Sequence, residues 1–257
     1  MPANLTLSAT TLYSFMLVLA RVSGALVFVP IPGMNSAPEA ARAGFSLAVT
    51  LALYSRWPPI QPGQVSVATL AGWAFSEAAV GLAIGVSVAI VLETFSLAAQ
   101  VLGLQAGYGY ASTIDPTTQA DSGILLVLSQ LISGMLFFAL GLDREVLRLF
   151  AVSLERVPAG VYLLGPASAD PVIHLGATLF SVGVRLALPV VALLTMVDVA
   201  LALLGRVNSQ LQLLSLAFPA KMLTALVMIS WLLSLYPRMM REIGIQAWTA
   251  AYRTLGL

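Results

Sequence analysis

The chain has no cysteine and a single histidine, His174. The first absence excludes disulfides, thiolate nucleophiles and Cys-based metal sites, and one histidine cannot build a His-rich metal cluster. Charge is nearly as scarce, at 9% of 257 residues, with a net charge of +1. Soluble domains carry about a quarter charged residues, and a soluble fold this poor in charge could not cover its own surface. The few Lys and Arg are scattered, so no basic footprint for nucleic acid exists. Enzyme signatures are missing too. There is no zincin motif, no nucleophile elbow and no Asp-rich pair for a prenyl-transfer metal. No catalytic residue, cofactor or metal is expected.

What the chain has instead is apolar length, with 59% of its residues hydrophobic. Six apolar regions stand out: Thr11 to Pro32, Ala43 to Ser55, Val67 to Leu104, Ser122 to Leu142, Ile173 to Gly205 and Leu211 to Tyr236. A helix needs about 20 apolar residues to cross hydrocarbon. The first, fourth and sixth regions fit, the second is short, and the third and fifth are too long for one straight span. This predicts an all-α membrane protein whose over-long helices pack against similar partners. The first region reads as retained, because no basic residue precedes it and Arg21 interrupts it.

Pro189 and Pro219 lie inside apolar runs and should kink them. The Pro-, Gly- and Ala-rich stretch from Val157 to Pro171 is the best internal boundary. It divides a first part, 1–165, from a helical hairpin and basic tail, 166–257. Asp143-Arg144-Glu145 reads as a charge cluster closing an apolar helix, and Ser8 and Ser66 as helix caps. Arg238, Arg241 and Arg253 against Glu242 place the C-terminus in the cytoplasm by the positive-inside rule.

Six ionisable residues fall within the apolar regions: Arg21, Glu77, Glu93, Arg185, Asp198 and Lys221. Facing lipid, each costs about 2.5–3.5 kcal/mol even on a lenient insertion scale. They should therefore face protein, a polar lumen or one another. One reading is helix pairing that fixes packing, and the other is a water-accessible path. Glu77, Gly81 and Gly85 share one helix face at a spacing of four. Small residues at that spacing admit a close second backbone, and a carboxylate there needs a donor, for which Arg21 is a candidate. Arg206, Gln210 and Lys221 are expected to face partners or a channel. Pro219 frees a carbonyl one turn back as a local acceptor for Lys221.

The stretch from Gly103 to Pro116 is the most distinctive, with Gly103, Gly107 and Gly109 and with Tyr108 and Tyr110 interrupting an apolar run. The glycines and Ser112-Thr113 predict a broken helix, and Asp115 before Pro116 predicts the cap of the next one. Broken backbone at membrane depth survives only when buried in protein or lining a cavity. Two readings stand. Either the segment plugs a channel, with Leu104, Tyr108, Tyr110 and Ile114 as bulk beside Gln105, or Gly103 and Gly107 form a tight helix crossing.

Several of these strings, taken in order, resemble the FliR family of bacterial export proteins. They are Arg21-Val-Ser-Gly24 with Pro30, Glu77-x3-Gly81-x3-Gly85, and Gly103-Leu-Gln-x-Gly with Ala111-Ser112-x-x-Asp115-Pro116. Phe137-Phe138 with Ser153 and Pro158 follows, then Ala187-Leu188-Pro189, Asp198, Arg206, Gln210 and Phe218-Pro219-x-Lys221. The resemblance covers nearly the whole chain. It implies a FliP-like part followed by a FliQ-like hairpin, in kinked helical hairpins that pack into a helical multi-subunit assembly. It also implies a non-enzymatic core subunit of the flagellar type III export gate, in the bacterial inner membrane at the basal body. Implied partners are FliP-like and FliQ-like subunits, FlhB-like and FlhA-like export components, unfolded exported proteins and membrane lipid. A virulence-type injectisome homologue is a variant of this reading. A self-contained small-molecule transporter is the alternative from another class, favoured by buried charge and a broken helix, and disfavoured by the lack of internal repeats.

Overall fold

In the computed structural model the described residues are 9–29, 39–59, 66–108, 123–160, 170–207 and 213–256, the side chains of 213–216 excepted. Among them are eight α-helices and no strand. They are α1 (Ala9–Leu26), α2 (Glu39–Ala52), α3 (Val67–Ala106), α4 (Ile124–Ala139), α5 (Leu142–Arg156), α6 (Asp170–Val207), α7 (Leu213–Leu233) and α8 (Tyr236–Thr254). A 3-10 turn, Tyr54–Arg56, follows α2. Among the described residues three helices are long and apolar enough to cross a membrane, or up to 5 if each pair separated by a short break is one span. The chain is an all-α membrane protein.

The 40 residues of α3 and the 38 of α6 are each one continuous helix. At 1.5 Å per residue they extend about 60 and 57 Å, roughly twice the hydrocarbon thickness. Pro189 and Pro219 sit inside α6 and α7 without ending either helix. The start of α3 is defined by Ser66, whose hydroxyl accepts the Thr69 amide at 3.2 Å, an N-cap bond.

Two helices run where the sequence reading placed a helix end and a tail. Asp143-Arg144-Glu145 does not close an apolar helix. It lies in the first turns of α5, after Gly141 in the left-handed conformation (φ 72°). Acidic groups there suit the positive end of the helix dipole. Leu142, Val146, Leu149, Phe150 and Leu154, spaced three and four apart, bury one face of α5. The basic tail is likewise a helix, α8, burying Tyr236, Met240, Ile243, Ala247 and Ala251.

The chain divides into two compact units, each discontinuous in sequence. Unit 1 comprises Met1–Ile90, Gly141–Gly176 and Gly244–Leu257. Its α1 packs on α2, and Trp57 beyond the 3-10 turn stacks on Phe15 with ring centroids 5.6 Å apart. Ser14 donates to the Pro58 carbonyl at 2.6 Å, and Arg56 pairs with Glu155. Unit 2 comprises Val91–Leu140 and Ala177–Ile243. Phe95 is fully buried against Tyr236, with centroids 4.6 Å apart, and its carbonyl accepts the Ser129 hydroxyl at 3.1 Å. Gly183 lets α6 approach α3 closely, since a Cβ there would lie 2.9 Å from the Leu97 side chain and 3.1 Å from the Thr94 carbonyl.

Candidate functional site

Each unit holds one polar centre among apolar helices. In unit 1, Arg21 of α1 and Glu77 of α3 are both fully buried, and Arg21 Nε meets Glu77 Oε2 at 2.5 Å. Sequence reasoning named this pair as candidates but not what completes it. Arg21 Nη1 donates to Ser153 Oγ at 3.2 Å and Nη2 to the Val157 carbonyl at 2.9 Å. Glu77 Oε1 accepts the Gly160 amide at 3.0 Å. Each guanidinium nitrogen and each carboxylate oxygen therefore has a partner. Among the described residues no buried side-chain polar atom lacks one. A buried pair is tolerable only under those conditions.

The pair sits beside a close helix crossing. A Cβ at Gly81 would fall 1.9 Å from the Arg21 carbonyl oxygen, and one at Gly85 2.3 Å from that of Ala25. From the other side, a Cβ at Gly24 would fall 2.3 Å from the Ala78 carbonyl. The two backbones can touch there only because these positions lack side chains. Gly160, with φ +90°, turns the chain after α5 so that its amide reaches Glu77, and a Cβ there would lie 3.3 Å from the Trp73 ring. The sequence signals for these completing groups were Ser153 and the Pro158-Ala-Gly160 turn, neither of which reveals its spatial partner.

In unit 2, Lys221 Nζ meets the Asp198 carboxylate at 2.9 Å, tying α7 to α6. The expected acceptor for Lys221 was the carbonyl freed by Pro219; the partner seen among the described residues is this carboxylate, whose full charge binds an ammonium more strongly than a carbonyl does. The Gln105 side-chain amide reaches Asp198 Oδ2 at 3.5 Å and Thr195 Oγ1 at 3.4 Å. The Tyr108 hydroxyl donates to the Met222 carbonyl at 3.3 Å. Gly103 lies within α3, and a Cβ there would meet nothing within 4 Å among the described residues, so Gly103 makes no close helix crossing with any of them. Gly107, with φ +84°, ends the helix, and a Cβ there would lie 3.0 Å from the Phe218 ring.

Other expected residues lie on the surface of the single chain. Arg185 and Glu93 were expected to face protein or a polar lumen and Arg206 to face partners or a channel; Arg185 and Arg206 are exposed on α6, Glu93 on α3 and Pro219 on α7. Leu104 is exposed as well. Gly109, Tyr110, Ile114, Asp115, Pro116 and Gln210 lie outside the described residues.

Long apolar helices, a glycine-lined crossing around a buried ion pair and a second charged centre define a polytopic helical membrane protein. The model of the family described as bacterial export proteins, family 1, matches residues 12–245. The flagellar biosynthetic protein FliR of Escherichia coli (strain K12) is 27% identical over 85% of this chain and 82% of its own length. That of Bacillus subtilis (strain 168) is 27% identical over 84% of each. That of Caulobacter vibrioides is 24% identical over 98% of each. The chain belongs to the FliR family of bacterial export proteins.

Proposed function

We propose that this chain is a non-enzymatic core subunit of the flagellar type III export gate, forming part of the channel through which unfolded flagellar subunits leave the cytoplasm. The observation that carries the reading is the outer face of α6. Phe180, Leu188, Met196 and Leu203 are exposed there, on the same helix as exposed Arg185 and Arg206. Apolar bulk alone would suit lipid. A charge within an apolar span does not, so part of this surface calls for protein neighbours. Helices of about 57–60 Å also suit subunits stacked on one another better than a lone bundle in a bilayer of about 30 Å.

On this reading the neighbours are FliP-like and FliQ-like subunits, with FlhB-like and FlhA-like components nearby, at the inner membrane and with the C-terminus in the cytoplasm. The segment Gly103 to Pro116 acts as the channel's resting seal. Arg21, Glu77, Gly81 and Gly85 hold the subunit in the shape that assembly requires.

Purification of the tagged chain from its native host in mild detergent tests the subunit role. Two small helical membrane proteins should accompany it in one large complex. A stable, lone, fully active monomer would refute the role and favour a self-contained transporter. Deleting residues 107–112 tests the seal. The complex should still assemble, and the membrane should become leaky to small ions. An assembled complex of unchanged permeability would end that part of the reading.

A further inference from the structure

Asp198 and Lys221 form a charge pair within otherwise apolar helices, with the Lys221 side chain largely covered and that of Asp198 partly exposed. The pair is short, at 2.9 Å. Its attachments to α3 are long: Gln105 to Asp198 at 3.5 Å, Gln105 to Thr195 at 3.4 Å, and Tyr108 to Met222, the residue after Lys221, at 3.3 Å. Neutral donors at such distances bond weakly. The backbone between them ends its helix at Gly107, whose positive φ is open to glycine at no steric cost. Leu104, one residue from Gln105, projects into the open. A firm charged post therefore carries a loosely tied helix end.

We infer that Asp198 and Lys221 are positioning residues, a fixed post to which Gln105 and Tyr108 moor the last turn of α3 at rest, and that export requires this turn to let go while the ion pair stays intact. This rests on the proposed export-gate role. The ties are replaceable: once released, the Gln105 amide and Tyr108 hydroxyl can bond to water or to a passing polypeptide. The Asp198–Lys221 pair keeps α6 and α7 in register throughout, so the turn can return to the same place.

The absence of cysteine makes the test direct. Gln105→Cys with Thr195→Cys puts thiols on both sides of the mooring, in the full complex in inverted membrane vesicles. A short reducible bis-thiosulfonate linker between them should lower export at least tenfold, and reductant should restore it. Export at the unlinked rate with the linker in place overturns the inference. Should that pair fail to assemble, Gln105→Leu with Tyr108→Phe decides the matter. That complex should assemble and show a resting ion leak raised about tenfold, equivalent to about 1.4 kcal/mol, and an unchanged leak overturns the inference. Lys221→Met should raise the leak similarly and Lys221→Arg should reverse the effect, which a mere packing role for the aliphatic stem would not require. Failure of the underlying role looks different, because cells lacking the chain would then export normally, overturning both.

Discussion

Gly81→Ala should damage this protein far more than one methyl group ordinarily does. The added Cβ would sit 1.9 Å from the Arg21 carbonyl oxygen and 2.9 Å from the Ala25 amide nitrogen. Ordinary contact begins at 3.4 Å, so α1 must retreat by 3.4 − 1.9 = 1.5 Å. Both opposing atoms are backbone, so no side chain can swing aside. The same retreat draws the Arg21 backbone away from Glu77, lengthening the 2.5 Å contact to at most 4.0 Å if the shift lies wholly along it. That is beyond hydrogen-bond reach. Overpacking alone costs about 1–3 kcal/mol, and splitting a buried pair costs about 3–5 kcal/mol. The two overlap, so a total near 3–5 kcal/mol is expected, against whole-domain stabilities of about 5–15 kcal/mol. The assay is the amount of chain recovered in the membrane complex, with its thermal midpoint in detergent. Gly72→Ala and Gly103→Ala are controls in the same helix, since a Cβ at either meets nothing within 4 Å. Both should be neutral or stabilising by up to about 1 kcal/mol. If Gly81→Ala matches these controls in yield and midpoint, the close crossing is not what holds α1 on α3.

Glu77→Leu should weaken assembly by the equivalent of about 3–5 kcal/mol, because it strands Arg21 without a counter-ion. Arg21→Leu with Glu77→Leu should recover part of that loss, and a double-mutant cycle on complex yield that comes out additive would contradict the coupling. Ser66→Ala should lower stability by about 1 kcal/mol through the lost cap of α3, and a thermal midpoint equal to the wild type would discount the cap. A photocrosslinker at position 185, exposed on α6, should capture one defined neighbouring subunit, and labelling by a lipid-phase probe alone would show that this face meets the bilayer.

The sequence by itself determined the membrane-helical class. With 9% charge and 59% hydrophobic residues in long unbroken runs, the backbone must be satisfied internally in an apolar medium, and runs without period-two alternation do that as helices rather than as barrel strands. It also marked Arg21, Glu77, Gly81 and Gly85, because a charge or a small-residue face in an apolar run is conspicuous without any partner in view. It did not register α5 as a helix, although Leu142, Val146, Leu149 and Phe150 carry the period, because the charged opening looked like an ending. The α8 helix was missed in the same way, its basic residues drawing attention from the apolar stripe of Tyr236, Met240, Ile243 and Ala247.

Only the tertiary structure decided who pairs with whom. Arg21 takes its remaining acceptors from Ser153 and Val157, more than a hundred residues along the chain, and Lys221 finds Asp198 across a hairpin. Local spacing limits which residues can share a helix face. The partner of a buried charge is whichever opposite group the packing of separate helices brings within about 3 Å, and that distance depends on how helices cross, which no periodicity within one helix contains.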